Sequence, residues 1–203
     1  MILRIVLGQV RPGQLEGLVA AARATSNTQI AARPGLIRAH LAARPAGDGH
    51  EAVGVTFWST PESAAEALRE DPSDPSMSGD LASFVDLRPA TYFEVDETVL
   101  RRSERDPVAL RLTVGRFSKP GSDRLMQDLL RERAPLIGDD MTEAYVGRRV
   151  DGRHVEVTFV SAWQRIPDAM PLDQPFWPDI STRYDEFFVA VYEPLALASA
   201  GSS

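Results

Sequence analysis

The stretch "GVTFWSTPESAAEAL", residues 54–68, passes from strand-like alternation to helix-like spacing and carries Trp58 at the seam. An indole there can stack on a flat aromatic ligand, or it can fill a core as tryptophans commonly do. His40 is a proton acceptor near neutral pH and equally suits a hydrogen-bonded structural place. Arg38 can stabilise a developing enolate or bind an oxyanion, and an acidic partner would occupy it just as well. Tyr145 can orient a phenol or quinone oxygen. With Tyr92 as a second aromatic wall and Glu143 at the position equivalent to Arg38, these six residues form the candidate site. His40 and Arg38 are its catalytic members. Trp58, Tyr92, Tyr145 and Glu143 are its substrate-binding members. Trp163 and Trp177 fall in proline-rich connections and can rim a pocket or pin a loop.

Other chemistries find little support. The histidines, His40, His50 and His154, are scattered and form no compact metal-ligand spacing. There is no cysteine, so disulfides, thiolate metal sites and cysteine nucleophiles are excluded. No nucleophile-elbow or phosphate-loop motif occurs. A formal net charge of −7 over 203 residues argues against nucleic acid as a partner. No apolar run approaches a membrane span, and the N-terminal apolar stretch is too short for a signal peptide. These features fit a cytoplasmic protein with no metal site, no nucleic-acid partner and no membrane span, and the six residues above suit a small hydrophobic or aromatic ligand.

The elements that must position these residues occur twice. "LRIVLGQVRPG" from Leu3 matches "LRLTVGRFSKPG" from Leu110, and "LIRAHLAAR" from Leu36 matches "MTEAYVGRR" from Met141. "VGVTFW" from Val53 matches "VEVTFV" from Val155, and "TYFEVDE" from Thr91 matches "FFVAVYE" from Phe187. Each block alternates as a strand does. Helical spacing follows the first block of each half, at Leu15, Leu18, Val19 and Ala22, and at Leu125, Met126, Leu129 and Leu130. Pro12-Gly13 and Pro120-Gly121 precede those helices, and Thr60-Pro61 is a start signal for another over about 60–70. Asp48-Gly49 and Asp151-Gly152 mark hairpins. The order per half is βαββαβ. The expected fold is therefore α+β, with two ferredoxin-like repeats at 1–98 and 108–195, their antiparallel sheets packed as a pseudo-dimeric α/β barrel.

Alternation also predicts faces. One face carries Leu3, Ile5, Ile37, Ala39, Leu41, Val55 and Phe57 and should lie under the helices. The other mixes Arg4, Arg38, His40, Thr56, Trp58 and Tyr92, with Arg111, Thr113, Glu143 and Tyr145 in the second half.

The residues 3–97 and 109–193 resemble the antibiotic biosynthesis monooxygenase type of dimeric α/β-barrel protein, here as a tandem fused pair. "VTFWSTPESAAEAL" and "PGLIRAHL" carry the resemblance. Haem-degrading relatives place a histidine in the helix after the tryptophan and an asparagine on the first strand. Here that helix reads "ESAAEALRED" and the strand ends Gly8-Gln9, so haem degradation is disfavoured. The resemblance implies a cofactor-independent monooxygenase acting on a flat aromatic or quinone-like molecule. Its rival is a non-catalytic, small-molecule-binding or stress-associated barrel. With both halves in one chain, a monomer could be complete, and further homo-oligomerisation stays open.

Overall fold

The computed structural model describes residues 1–25, 32–68, 80–100, 106–119, 121–122, 124–125, 128, 132, 139–151, 154–166, 173 and 182–199. Among them no helix is long and apolar enough to cross a membrane. The chain divides into two compact units, one of Met1–Tyr92 with Tyr192–Ser203 and one of Phe93–Val191.

Unit 1 contains β1 (Ile2–Val10), α1 (Leu15–Thr25), β2 (Leu36–Ala46), β3 (Gly49–Trp58), α2 (Pro61–Leu68), a short 3-10 turn (Asp80–Ser83) and β4 (Val85–Leu87). It also takes the first two residues of β5 (Thr91–Leu100) and the end of β9 (Glu186–Ser199). β3 is central, with Trp58 opposite Ile2 on β1 and opposite Leu36 on β2. β4 pairs with the end of β1, Gly8 facing Leu87 and Val10 facing Val85. Local sequence explains these boundaries. Gly13 takes the left-handed conformation, φ 72°, that turns the chain into α1. Thr60 caps α2, its Oγ1 accepting from the Ser63 amide at 3.1 Å, with Pro61 at the first helical position. Gly47, at φ 57°, and Asp48 make the hairpin turn between β2 and β3. Leu18 and Ala22 of α1 pack on Val10, Ala52 and Val85 to form the core under the helix.

Unit 2 contains the rest of β5, then β6 (Ala109–Phe117), β7 (Met141–Asp151), β8 (His154–Trp163) and the start of β9. β8 is central here, with Trp163 opposite Ala109 on β6 and opposite Met141 on β7. Phe117, Met141, Val146, Val157, Phe159 and Trp163 form its core.

The expected fold class is corrected by these pairings. The described chain is mainly antiparallel sheet with two bounded α-helices, α1 and α2, both in the first half. In the second half Ser122, Arg124, Leu125, Asp128 and Glu132 are helical, within a stretch that otherwise lies outside the described residues. Nor is either half self-contained. In unit 1 the outer edge of β2 is paired by Glu193–Ser199 of β9, and in unit 2 the outer edge of β7 is paired by Glu94–Leu100 of β5. Two independent ferredoxin-like βαββαβ repeats, packed as a pseudo-dimeric α/β barrel, are therefore not what forms. The physical reason is edge satisfaction. β5 and β9, 10 and 14 residues long, have backbone donors and acceptors to spare, and β2 and β7 would otherwise expose theirs.

The face assignment is corrected as well. Cross-strand partners share a face, and the ladders place Ala39 with Thr56 and Leu41 with Gly54, but Arg38 with Phe57 and His40 with Val55. β2 thus has the opposite phase to the one expected. Alternation fixes faces within a strand, whereas the phase between strands is set by hairpin register. α1, moreover, covers the face of Val10 and Ala52, which is also the face of Arg4, Thr56 and Trp58.

Candidate functional site

On the helix-covered face of unit 1, β1 and β3 set Arg4 directly opposite Thr56, one same-face step from the Ile2–Trp58 pair. Arg4 and Trp58 are both buried. The indole is fixed, because its Nε1–H donates to Thr56 Oγ1 at 2.8 Å. Unit 2 repeats this arrangement. Arg111 stands opposite Ser161, and Trp163 Nε1 donates to Ser161 Oγ at 2.8 Å. Arg111, Ser161 and Trp163 have no exposed surface. Both units even skip a residue at the same place, between Leu36 and Arg38 on β2 and between Met141 and Glu143 on β7.

An arginine on an otherwise apolar face changes the electrostatics there. Burial pulls the Arg111 pKa down from its ordinary value to about 10, and interaction with Tyr184 partly offsets this. The guanidinium remains a cation at neutral pH. Arg111 Nη1 lies 3.3 Å from Thr113 Oγ1, the next same-face residue on β6. The Ser161 hydroxyl already accepts from the indole, so the proton it carries is left to donate. Guanidinium, hydroxyl and indole thus form one compact polar group on this face, to which a ligand oxygen can be added as a further acceptor.

The predicted residues are divided between the two faces. Trp58 belongs to the set just described. Arg38 and His40 lie on the reverse face of unit 1, with Leu3, Ile5, Val55 and Phe57. His40 is buried and meets Phe57 edge-on, ring centroids 6.4 Å apart. Arg38 is half-buried. Glu143 and Tyr145 occupy the corresponding reverse face of unit 2, where both are buried and the Tyr145 hydroxyl donates to Glu143 Oε2 at 3.1 Å. Tyr92 is half-buried at the start of β5. Trp177 lies outside the described residues.

Arg4, Thr56, Arg111 and Ser161 were not among the six site candidates, and Trp163, expected in a proline-rich connection, instead ends β8. A signal for them exists in the sequence as a hydroxyl two residues before each tryptophan, Thr56-x-Trp58 and Ser161-x-Trp163, and as "LRI" against "LRL" on the first strand of each half. Matching "VTFW" to "VTFV" hid it, because that alignment pairs Trp58 with Val160. The ladders pair it with Trp163, which ends β8 as Trp58 ends β3.

Two further carboxylates are buried on the reverse faces and serve as strand clips. Glu51 accepts from Tyr192 OH at 2.8 Å and Arg44 Nε at 3.1 Å, with Arg88 at 3.5 Å. Glu156 is held by Arg116 at 2.8 Å and by Arg149. Burial alone would raise the Glu156 carboxyl, but the hydrogen bonds and charges of Arg149 and Arg116 outweigh it and hold the pKa below the usual value. A groove of about 200 Å³ opens beside this clip, lined by Val114, Arg116, Glu156, Glu186 and Phe187 among others. It is smaller than most ligand pockets. Among the described residues no group of three or more histidine, aspartate or glutamate side chains is gathered to hold a metal.

What fold and site define together is a mainly antiparallel sheet protein that carries a buried arginine–hydroxyl–tryptophan set in each unit. Solved structures share the architecture. A protein titled "Putative monooxygenase" from Fusobacterium nucleatum subsp. nucleatum superposes with a TM-score of 0.70 at 11% identity, covering 98% of this chain and 94% of that one. A "putative monooxygenase" from Lactobacillus acidophilus gives 0.69 at 10% identity, covering 98% and 96%. An "anthrone oxidase-like protein" gives 0.62 at 16% identity, covering 99% and 94%. At these identities the likeness is one of fold. No protein-family model and no curated protein matches the chain in sequence.

Proposed function

We propose that this chain is a monooxygenase-like oxidoreductase that oxygenates a flat, hydroxylated aromatic compound without a cofactor, holding it on the helix-covered face. The observation that carries the reading is the pairing of a buried arginine with an anchored indole, made from the same strand positions in both units. A rigid indole suits a planar ring, and a guanidinium beside a hydroxyl suits the oxygen of a phenolate or enolate. The fold neighbours, two titled as monooxygenases and one as anthrone oxidase-like, support the same direction.

The chemistry asks little of the protein. An anthrone-like substrate loses a proton from its central methylene to water, and Arg4 or Arg111 favours the resulting enolate. The carbanion gives one electron to dioxygen, and the radical and superoxide combine to form a carbon–oxygen bond. The peroxide takes up a proton. The remaining C–H proton then leaves, its electron pair forms the carbon–oxygen double bond, and the O–O bond breaks. The departing hydroxide with that proton makes water. One oxygen atom ends in the product and one in water, so the substrate supplies all four electrons. Orienting the ring and stabilising the enolate are the protein's contributions.

Oxygen uptake with anthrone-like and naphthol-like compounds tests this. Wild-type protein should consume one dioxygen per substrate, and either the pair Arg4→Met and Trp58→Phe or the pair Arg111→Met and Trp163→Phe should lower the rate. Binding without oxygen uptake would make the chain a small-molecule-binding protein instead. Loss of uptake with His40→Ala but with neither Arg4→Met nor Arg111→Met would move the substrate to the reverse face and overturn the placement of the site.

A further inference from the structure

We propose that unit 2 contains a binding slot for a para-substituted phenol, and that the chain's own Tyr184 occupies it. Gly115 of β6 is the floor. A methyl group on Gly115 would lie 1.7 Å from Tyr184 Cε1, 1.8 Å from Cδ1 and 2.6 Å from Cζ, so the ring rests on bare backbone. Phe117, the next residue on that face of β6, makes one wall, its ring centroid 4.7 Å from that of Tyr184 with the planes 34° apart. Phe187 makes another, at 6.1 Å. Arg111 lies on the same face of the same strand, and its charge acts on the Tyr184 phenol. The slot thus has a flat floor, aromatic walls and a cation for the phenol oxygen.

Tyr184 is not part of any strand. It belongs to the turn before β9, and its neighbour Asp185 fastens that turn. The Asp185 amide donates to the Arg116 carbonyl at 2.9 Å, and Asp185 Oδ2 accepts from the Ser118 amide. A turn outside the strand ladders releases its side chain at lower cost than a strand within one does. The equivalent glycine of unit 1, Gly8, is covered instead by Val85 and the Asp86 carbonyl of β4, which is hydrogen-bonded along β1. The ring over Gly115 is therefore a feature of unit 2 and has no counterpart at Gly8. The slot rests on this geometry, and its use for an oxidisable phenol rests on the function proposed above.

Thermal unfolding of the full chain with p-cresol, the tyrosine side chain as a free molecule, is the test. Tyr184→Ala should unfold several degrees lower than wild type. Millimolar p-cresol should restore its midpoint saturably, toluene should restore it less, and wild type and Tyr184→Phe should not respond. Adding Arg111→Met to Tyr184→Ala should abolish the preference for p-cresol over toluene. Should Tyr184→Ala accumulate insoluble, recovery of soluble protein on refolding with p-cresol reads the same property. A Tyr184→Ala protein indifferent to p-cresol, or a wild type stabilised by it equally, would overturn the slot. Oxygen uptake has no part in this readout, so an inactive protein that is rescued by p-cresol refutes the enzymatic reading and leaves the slot standing.

Discussion

Gly8 and Gly115 occupy the same position on the first strand of each half, yet different things lie over them. Above Gly8 is the start of a regular strand, Val85 to Leu87, joined to β1 by a ladder. Above Gly115 is the ring of Tyr184, delivered by a turn. The absence of a Cβ serves both, but in unit 1 it admits backbone and in unit 2 it admits an aromatic plane. The arginine, the hydroxyl and the tryptophan recur at matching strand positions of the two units, while the cover of each glycine differs. The parts on which the proposed function rests are thus the parts the units share.

The largest effect expected is on activity. Arg4→Met and Arg111→Met each remove a buried cation, and loss of one oxyanion donor typically costs 10²–10³-fold. Whichever variant loses oxygen uptake names the working unit, so this measurement decides whether the shared sets are also functionally equal. Stability should move the other way. Holding Arg111 charged where its pKa has fallen to about 10 opposes folding by about 3 kcal/mol at neutral pH. Arg111→Met should therefore keep or raise the melting temperature while activity falls. A large drop in melting temperature would show that the guanidinium is structural.

The next effect separates the glycines. Gly115→Ala should cost about 1–3 kcal/mol through overpacking, most of it relieved in a Tyr184→Ala background. Gly8→Ala should cost at least as much, and Val85→Ala should relieve less of it. A Cβ on Gly8 meets the Asp86 carbonyl at 2.9 Å as well as Val85 Cγ1 at 2.4 Å, and the carbonyl belongs to a paired strand. Double-mutant cycles on denaturant unfolding give both coupling energies. Equal coupling would erase the distinction between a fixed strand and a releasable ring.

Much of this architecture was legible in the residues themselves. Pro12-Gly13, Thr60-Pro61 and Asp48-Gly49 announced a turn, a helix cap and a hairpin, because their local backbone demands are met within a few residues. The likeness of β1 and β6 was legible in "LRIVLG" and "LRLTVG", both of which form strands. Phase between strands was not. His40 and Trp58 each alternate correctly within their own strands, and only the β2–β3 register puts them on opposite faces. Partner choice was not legible either. Nothing in "FFVAVYE" says that the strand will continue past Tyr192 to pair with β2. The equivalence of Trp58 and Trp163 was present as two hydroxyl-x-tryptophan triplets, but identical "VTF" letters three positions out of register outweighed it.

A smaller effect compares the tyrosines of the two units as pH rises. Burial pushes the phenols of Tyr192 and Tyr184 upward, and Glu51 adds to the shift at Tyr192 through its hydrogen bond and its charge. The unfolded chain ionises its tyrosines near pH 10, so the stability each contributes is complete below that pH and is lost as pH climbs above it. Arg111 works in the opposite sense beside Tyr184. Its folded pKa, about 10, lies well below that of the unfolded chain, so its cost is full at neutral pH and shrinks as pH rises through about 10. At Tyr192, Arg44 opposes the rise that burial and Glu51 cause. Tyr192→Phe should lower stability at pH 7 by about 1 kcal/mol, the worth of its bond to Glu51, and should flatten the decline between pH 9 and 11. Tyr184→Phe should flatten that decline to a similar extent, because both phenols are raised alike, and Arg111→Met should steepen it by removing the opposing titration. Melting temperatures across this range check all three, and a slope unchanged by Arg111→Met would mean that Arg111 keeps its proton in the folded chain throughout.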